Sequence, residues 1–182
     1  MKVTPTDIRD ILLLEPAVHS DTRGFFLETW HATRYGAAGI GLPFVQDNYS
    51  RSVRGTLRGL HYQVIRPQGK LVTVVNGEIF DVAVDLRHAS PTFGRWAGVV
   101  LSDENQRQLW VPPGFAHGFY VTSESADVMY KCTDYYAAEH ERTLRWDDVE
   151  VGIAWPLVGG RPPLLSPKDA AGPAFRDAPS YP

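Results

Sequence analysis

The sequence predicts an all-β fold of two antiparallel sheets closed around a cavity, with few helices. From Leu57 onward, short segments rich in β-branched and aromatic residues recur about every ten residues, separated by Gly, Pro, Asn and Asp. Helical segments are few, so two sheets closed around a cavity fit the pattern better than a flat sheet under a helical layer. Barrels of this kind carry ligands in their mouths.

Taken in order, residues 25–30 (Phe-Phe-Leu-Glu-Thr-Trp) read as a strand, and 32–39 as a short helical turn ended by Gly39. Strands are then expected over 70–75, 78–86, 95–101, 108–111, 118–122 and 126–135. Asn76-Gly77 predicts a two-residue hairpin between 71–75 and 78–85, because both residues tolerate positive φ. Within the second strand, Ile79, Asp81, Ala83 and Asp85 share one face, and Phe80, Val82, Val84 and Leu86 the other. The apolar set is expected to face a core and the acidic set a polar interior or solvent. From residue 156 the chain is rich in Pro, Gly, Ala and Asp. That stretch reads as a covering segment, with a short helix around 166–169.

A chain of 182 residues can bury one good core and is short for two, so one domain over 1–182 is expected. No apolar run approaches the roughly 20 residues that cross a bilayer. The apolar stretch Ile11 to Leu14 is too short, and too closely preceded by Asp7, Arg9 and Asp10, for a signal peptide. A cytoplasmic protein with no membrane partner is the expectation. The net charge of −3 argues against a nucleic-acid partner. The single cysteine, Cys132, excludes an internal disulfide and any multi-thiolate metal site.

Three segments carry chemistry: Gly55-Thr-Leu-Arg-Gly-Leu-His61-Tyr-Gln63, Pro112-Pro-Gly-Phe-Ala-His117 and Tyr130-Lys-Cys-Thr-Asp-Tyr-Tyr136. The second resembles the later of two cupin motifs, in which Pro-x-Gly-x-x-His aims a histidine into a barrel. The earlier cupin motif supplies two histidines and a carboxylate for a metal. Here His61 is followed by Gln63, and Lys70 stands near the expected carboxylate. A lysine cation beside a divalent ion is repelled, and two histidines alone rarely hold zinc or iron. No metal and no cofactor are expected. A histidine, with its ordinary pKa of about 6.5, suits proton abstraction at neutral pH, and an ammonium can stabilise the oxyanion that results. That is the chemistry of enolisation. Arg58 and His61 are three apart, so both can line one site only if a bulge intervenes at Gly59.

Together these segments resemble the dTDP-4-dehydrorhamnose 3,5-epimerase family over nearly the whole chain. The likeness extends to Asp21-Thr-Arg-Gly-Phe-Phe-Leu-Glu28, Gln46-Asp-Asn-Tyr-Ser-Arg51, Phe80-Asp-Val-Ala-Val-Asp-Leu-Arg87, Ser90-Pro-Thr-Phe-Gly94 and Leu165-Ser-Pro-Lys-Asp169. The resemblance implies a cupin-type β jelly-roll barrel with a few short helices and no metal. It also implies a homodimer in which the N-terminal strands, within 1–50, are exchanged as a dimer arm, while 156–182 cover the site. The implied reaction inverts C3 and C5 of dTDP-4-dehydro-6-deoxy-D-glucose through enolate intermediates, in dTDP-rhamnose biosynthesis.

By the same resemblance His61 is the base, Asp169 holds its imidazole, Tyr130 is the acid on the opposite face, and Lys70 meets the C4 oxygen. A carboxylate on one ring nitrogen fixes the tautomer and favours the imidazolium that forms. Arg23, Arg58 and Lys168 are implied at the diphosphate, and Gln46, Asn48 and Glu28 at the nucleoside. Tyr136 is implied to stack on thymine, while His117 and Glu141 complete the pocket. Plainer readings stand beside these. Arg23 and Glu28 can be a surface pair, Tyr136 a core aromatic, and Glu141 one of the solvated run Glu139-His-Glu-Arg142. Asp81 is expected to face the cavity, and Asp47 to point away from it. A single-carbon epimerase, a ketoisomerase, a non-catalytic sugar-nucleotide-binding cupin and a metal-dependent cupin oxygenase remain as rivals.

Overall fold

The computed structural model describes residues 1–182. Thirteen strands form the chain's framework. They are β1 (Lys2–Pro5), β2 (Leu12–Glu15), β3 (Val18–Asp21), β4 (Gly24–Leu27), β5 (Gln46–Val53), β6 (Leu57–Gln63), β7 (Lys70–Asn76), β8 (Glu78–Asp85), β9 (Trp96–Ser102), β10 (Gln108–Val111), β11 (Phe115–Val121), β12 (Ser125–Cys132) and β13 (Glu141–Thr143). Helix α1 (Ala32–Ala37) follows β4, and α2 (Pro167–Ala170) lies near the C-terminus. No helix is long and apolar enough to cross a membrane.

One sheet has six strands in the order β1-β2-β10-β7-β12-β5, and the other five in the order β13-β6-β11-β8-β9. Pairing within both is antiparallel. The hairpin β3–β4 pairs only with itself. Val72 and Val74 of β7 and Val128 of β12 pack with Ile79 and Ala83 of β8 and with Phe115 and Phe119 of β11. This is the core between the sheets, and burying such side chains stabilises each by about 1.5–3 kcal/mol.

Strand β8 is buried on both faces. Ile79 and Ala83 point into the core between the sheets, while Val82, Val84 and Leu86 lie with Leu144 and Val151 beneath Trp155, Phe175 and Tyr181. The C-terminal segment thus covers an apolar face that alternation alone leaves bare. Asp81 and Asp85 are fully buried on the inward parity. Asp85 accepts from Ser90 Oγ at 2.7 Å, from Thr92 Oγ1 at 2.6 Å and from Arg87 Nη2 at 2.7 Å.

Several sequence expectations need correction. Asn76-Gly77 makes no hairpin: β7 bonds β10 and β12, β8 bonds β9 and β11, and the dipeptide turns the chain from one sheet to the other. Gly77 has φ +77°, and a Cβ there would lie 2.0 Å from the Ser125 carbonyl oxygen. Positive φ signals a reversal, but not which strands take up the hydrogen bonds. The strand expected over 25–30 ends at Leu27, and β12 ends at Cys132, which leaves Tyr135 and Tyr136 in a loop. Strand β11 begins at Phe115, so His117 lies on the strand itself.

Candidate functional site

A cleft opens between the sheets. Arg58, His61, His117, Phe119 and Glu141 line it from the five-stranded sheet, and Ser50, Lys70 and Tyr130 from the six-stranded sheet. Tyr136, from the loop after β12, and Lys168, from α2, complete the lining.

Arg58 and His61 reach the same cleft because β6 is bulged between them. His61 pairs with His117 and Arg58 with Phe119, so three steps on β6 face two on β11. Gly59 sits in this bulge with φ +116°, and a Cβ on it would lie 2.7 Å from both Gly118 Cα and the His117 carbonyl oxygen. Only glycine allows that backbone approach. Arg58 is steadied by its Nε, which donates to Ser52 Oγ at 2.9 Å.

His61 Nε2 lies 2.5 Å from Asp169 Oδ1, which leaves Nδ1 for the cleft. Asp169 is 4% exposed and sits on α2, where Ser166 caps the helix. Burial alone would raise its carboxyl. Hydrogen bonds from His61 and Ser166, helped by the Gly59 amide, outweigh burial and hold it below the usual carboxylate range. The pair therefore has a fixed negative partner for any proton that His61 takes up.

Tyr130 stands on the other wall, where burial pushes its phenol up and keeps it protonated at neutral pH. Burial pushes the Lys70 ammonium down, against the pull of Cys132, Glu141 and Asp81. Lys70 and fully buried Cys132 are cross-strand neighbours on β7 and β12. Glu141 accepts from Tyr136 Oη at 2.8 Å and from Lys168 Nζ at 2.7 Å. It belongs to the cleft, while its neighbours Glu139 and Arg142 are exposed.

A second buried His–Asp pair adjoins the first. His117, the register partner of His61, has its Nε2 at 2.8 Å from Asp81 Oδ1, and Asp81 Oδ2 has no partner in the chain. Gln63, where the earlier cupin motif carries a second histidine, is a structural tie. Its amide donates to the Arg66 and Tyr135 carbonyls and accepts from the Ala137 amide. No three His, Cys, Asp or Glu side chains converge as a metal-binding group.

Gln46 and Asn48 face inward on β5. Gln46 Nε2 donates to Asn48 Oδ1 at 3.0 Å, and its Oε1 accepts from the Tyr136 amide at 2.9 Å. Asp47 points away and pairs with Lys131. Tyr136 is 52% exposed, so it is no core aromatic. Arg23 and Glu28 are not brought to the cleft of the same chain. Arg23, at the turn of the isolated β3–β4 hairpin, clamps Asp21 at 2.6 Å, and Glu28 pairs with Arg34 beside Phe26 and Tyr35. Sequence reasoning missed Ser50, Phe119 and Ser166. The serine carried a signal, since Ser followed three residues later by Asp is an N-cap pattern.

The two-sheet fold and its cleft, with a carboxylate-backed histidine on one wall and a protonated tyrosine on the other, are the arrangement that acid–base chemistry on a small ligand requires. The model of the dTDP-4-dehydrorhamnose 3,5-epimerase family matches residues 5–177. The chain is 56% identical over 183 residues to a dTDP-4-dehydrorhamnose 3,5-epimerase of Pseudomonas aeruginosa, covering 100% of both. A solved dTDP-6-deoxy-D-glucose-3,5-epimerase of Legionella pneumophila, in complex with dTDP-4-keto-L-rhamnose, is 54% identical with a TM-score of 0.94, over 97% of this chain and 93% of that one. A 3′-monoepimerase from Streptomyces bikiniensis, in complex with dTDP-quinovose, is 36% identical with a TM-score of 0.86, over 93% and 86%. The chain belongs to the dTDP-4-dehydrorhamnose 3,5-epimerase family.

Proposed function

We propose that this enzyme converts dTDP-4-dehydro-6-deoxy-D-glucose to dTDP-4-dehydro-L-rhamnose by inverting C3 and C5, as an isomerase of dTDP-rhamnose biosynthesis in the cytoplasm. The observation that carries the reading is the placement of His61 and Tyr130 on different sheets across one cleft. Inversion needs a proton removed from one side of a carbon and returned to the other.

In each half of the reaction His61 Nδ1 takes the proton from a carbon beside the C4 ketone, and the C–H electron pair moves into an enolate. Asp169 stabilises the imidazolium formed. The enolate oxygen faces the Lys70 ammonium, whose burial strengthens that attraction. Tyr130 then gives its phenolic proton to the opposite side of the carbon. Exchange with solvent resets both groups before the second carbon reacts. Protein side chains alone serve these steps.

Arg58 and Lys168 suit the diphosphate, since a guanidinium fork and an ammonium both pair with phosphate oxygens. Exposed Tyr136 offers a face for thymine, Gln46 and Asn48 offer amides to its edge, and His117 and Glu141 close the remaining wall. Arg23 and Glu28 lie outside this cleft, on and beside a hairpin whose Phe25 and Phe26 are 59% and 70% exposed. We infer a homodimer in which the partner subunit's hairpin brings these groups to the site.

Incubating the enzyme with the 4-keto-6-deoxyglucose nucleotide in heavy water and following the sugar by NMR tests the reading. Deuterium with inversion at both C3 and C5 is expected. Inversion at one carbon alone would make the enzyme a single-carbon epimerase, and binding without exchange would exclude catalysis.

A further inference from the structure

The two oxygens of the Asp169 carboxylate are divided between two side chains. Oδ1 lies 2.5 Å from His61 Nε2, while Oδ2 accepts from Ser166 Oγ at 2.7 Å. The serine is anchored in turn, because its Oγ accepts from the Asp169 backbone amide at 3.1 Å. The Cβ–Cγ torsion of a carboxylate is broad, so a bond to one oxygen alone leaves its plane loosely set. Donors on both oxygens fix its plane, and with it the imidazole that hangs from Oδ1.

We propose that Ser166 is a positioning residue for the base: its hydroxyl proton locks the Asp169 carboxylate in the orientation that aims His61 Nδ1 into the cleft. The inference rests on the assignment of His61 as the base. Two roles of Ser166 need separating. Its oxygen caps α2, and its proton holds Oδ2. Capping alone matters to the site too, since α2 also carries Lys168, which meets Glu141 at 2.7 Å. A frayed α2 would loosen substrate binding along with the base.

Chemistry separates them. Aspartate caps a helix about as well as serine. Ser166→Asp therefore keeps an acceptor for the Asp169 amide, but brings no proton for Oδ2 and sets a second negative charge against it. Ser166→Thr keeps both functions, and the exposed position with extended backbone (φ −72°, ψ 158°) has room for the added methyl. Ser166→Ala removes both.

The test is steady-state kinetics on the 4-keto-6-deoxyglucose nucleotide for the wild type and these three variants, with Tm as the check on folding. Ser166→Thr should keep kcat close to wild type. Ser166→Asp should stay folded, with a Tm lowered by the added charge but no lower than that of Ser166→Ala, and lose about tenfold or more in kcat, the equivalent of one hydrogen bond to a charged group, with KM nearly unchanged. Wild-type kcat in Ser166→Asp, or a loss in Ser166→Ala that Ser166→Asp restores, would assign the serine to capping alone and overturn the proposal. A kcat loss in Ser166→Thr equal to that in Ser166→Ala would also overturn it. A wild-type enzyme that turns nothing over overturns the functional reading and this proposal together, whereas an active wild type matched by Ser166→Asp overturns only the latter.

Discussion

Tyr130 and His61 reach the cleft from different sheets, so their losses should look different. Removing the phenolic hydroxyl in Tyr130→Phe leaves the His61–Asp169 pair at 2.5 Å intact. Proton abstraction then continues while delivery from the far wall fails. Solvent deuterium should still enter the sugar, while inverted product forms about 10²- to 10⁴-fold more slowly. His61→Asn should lose exchange and inversion alike. NMR in heavy water reads both, and a Tyr130→Phe variant that inverts at the wild-type rate would remove Tyr130 from the role of acid. At this scale the convergence of His61, Lys70, His117 and Tyr130 on one cleft was legible because each sits within a short motif. Spacing alone hid the pairings: the family resemblance supplied Asp169 as the partner of His61, but nothing in the sequence joined Asp81 to His117. Asp169 lies 108 residues from His61, and Asp81 lies 36 from His117. The fold alone decides which carboxylate backs which ring.

At the scale of the strand, the bulge in β6 is the element on which the site depends. Gly59→Ala would drive a Cβ to 2.7 Å from Gly118 Cα at a residue with φ +116°. Neither contact is a flexible side chain that can move aside. Overpacking of this kind costs about 1–3 kcal/mol, and the shift falls between Arg58 and His61. Urea unfolding should show that loss, and kcat should fall with it, whereas an alanine variant of native stability and activity would mean that β6 tolerates another path. The bulge could be read in advance, because two candidate site residues three apart demand one. Strand β5 could not. Its more buried positions are Gln46, Asn48, Ser50 and Ser52, so polar residues point inward, Ser50 to the cleft, and invert the apolar alternation that marks a strand. Asn76-Gly77 misled for a related reason: local backbone freedom is legible, but hydrogen-bond partners are a property of the sheets.

At the scale of the whole molecule, one chain holds the proposed acid and base but leaves part of the expected nucleotide contacts outside its own cleft. Arg23 projects from the β3–β4 hairpin with its side chain 88% exposed, and that hairpin pairs with neither main sheet. The edge strand β5 meanwhile leaves Tyr49 and Val53 more than half exposed. A symmetric dimer that docks each hairpin at the other chain's cleft would answer both features, and it makes a sharp demand on mixed assemblies. A chain carrying Arg23→Ala and a chain carrying His61→Asn should each be nearly inactive alone. Refolded together, they form mixed dimers in which one site bears both substitutions and the other bears neither. Random pairing then restores about a quarter of wild-type activity, because half of the dimers are mixed and half of their sites are intact. If Arg23 instead serves the cleft of its own chain, every site in every dimer carries one defect, and mixing restores nothing. The recovered kcat per chain therefore shows whether the catalytic cleft belongs to one chain or to two.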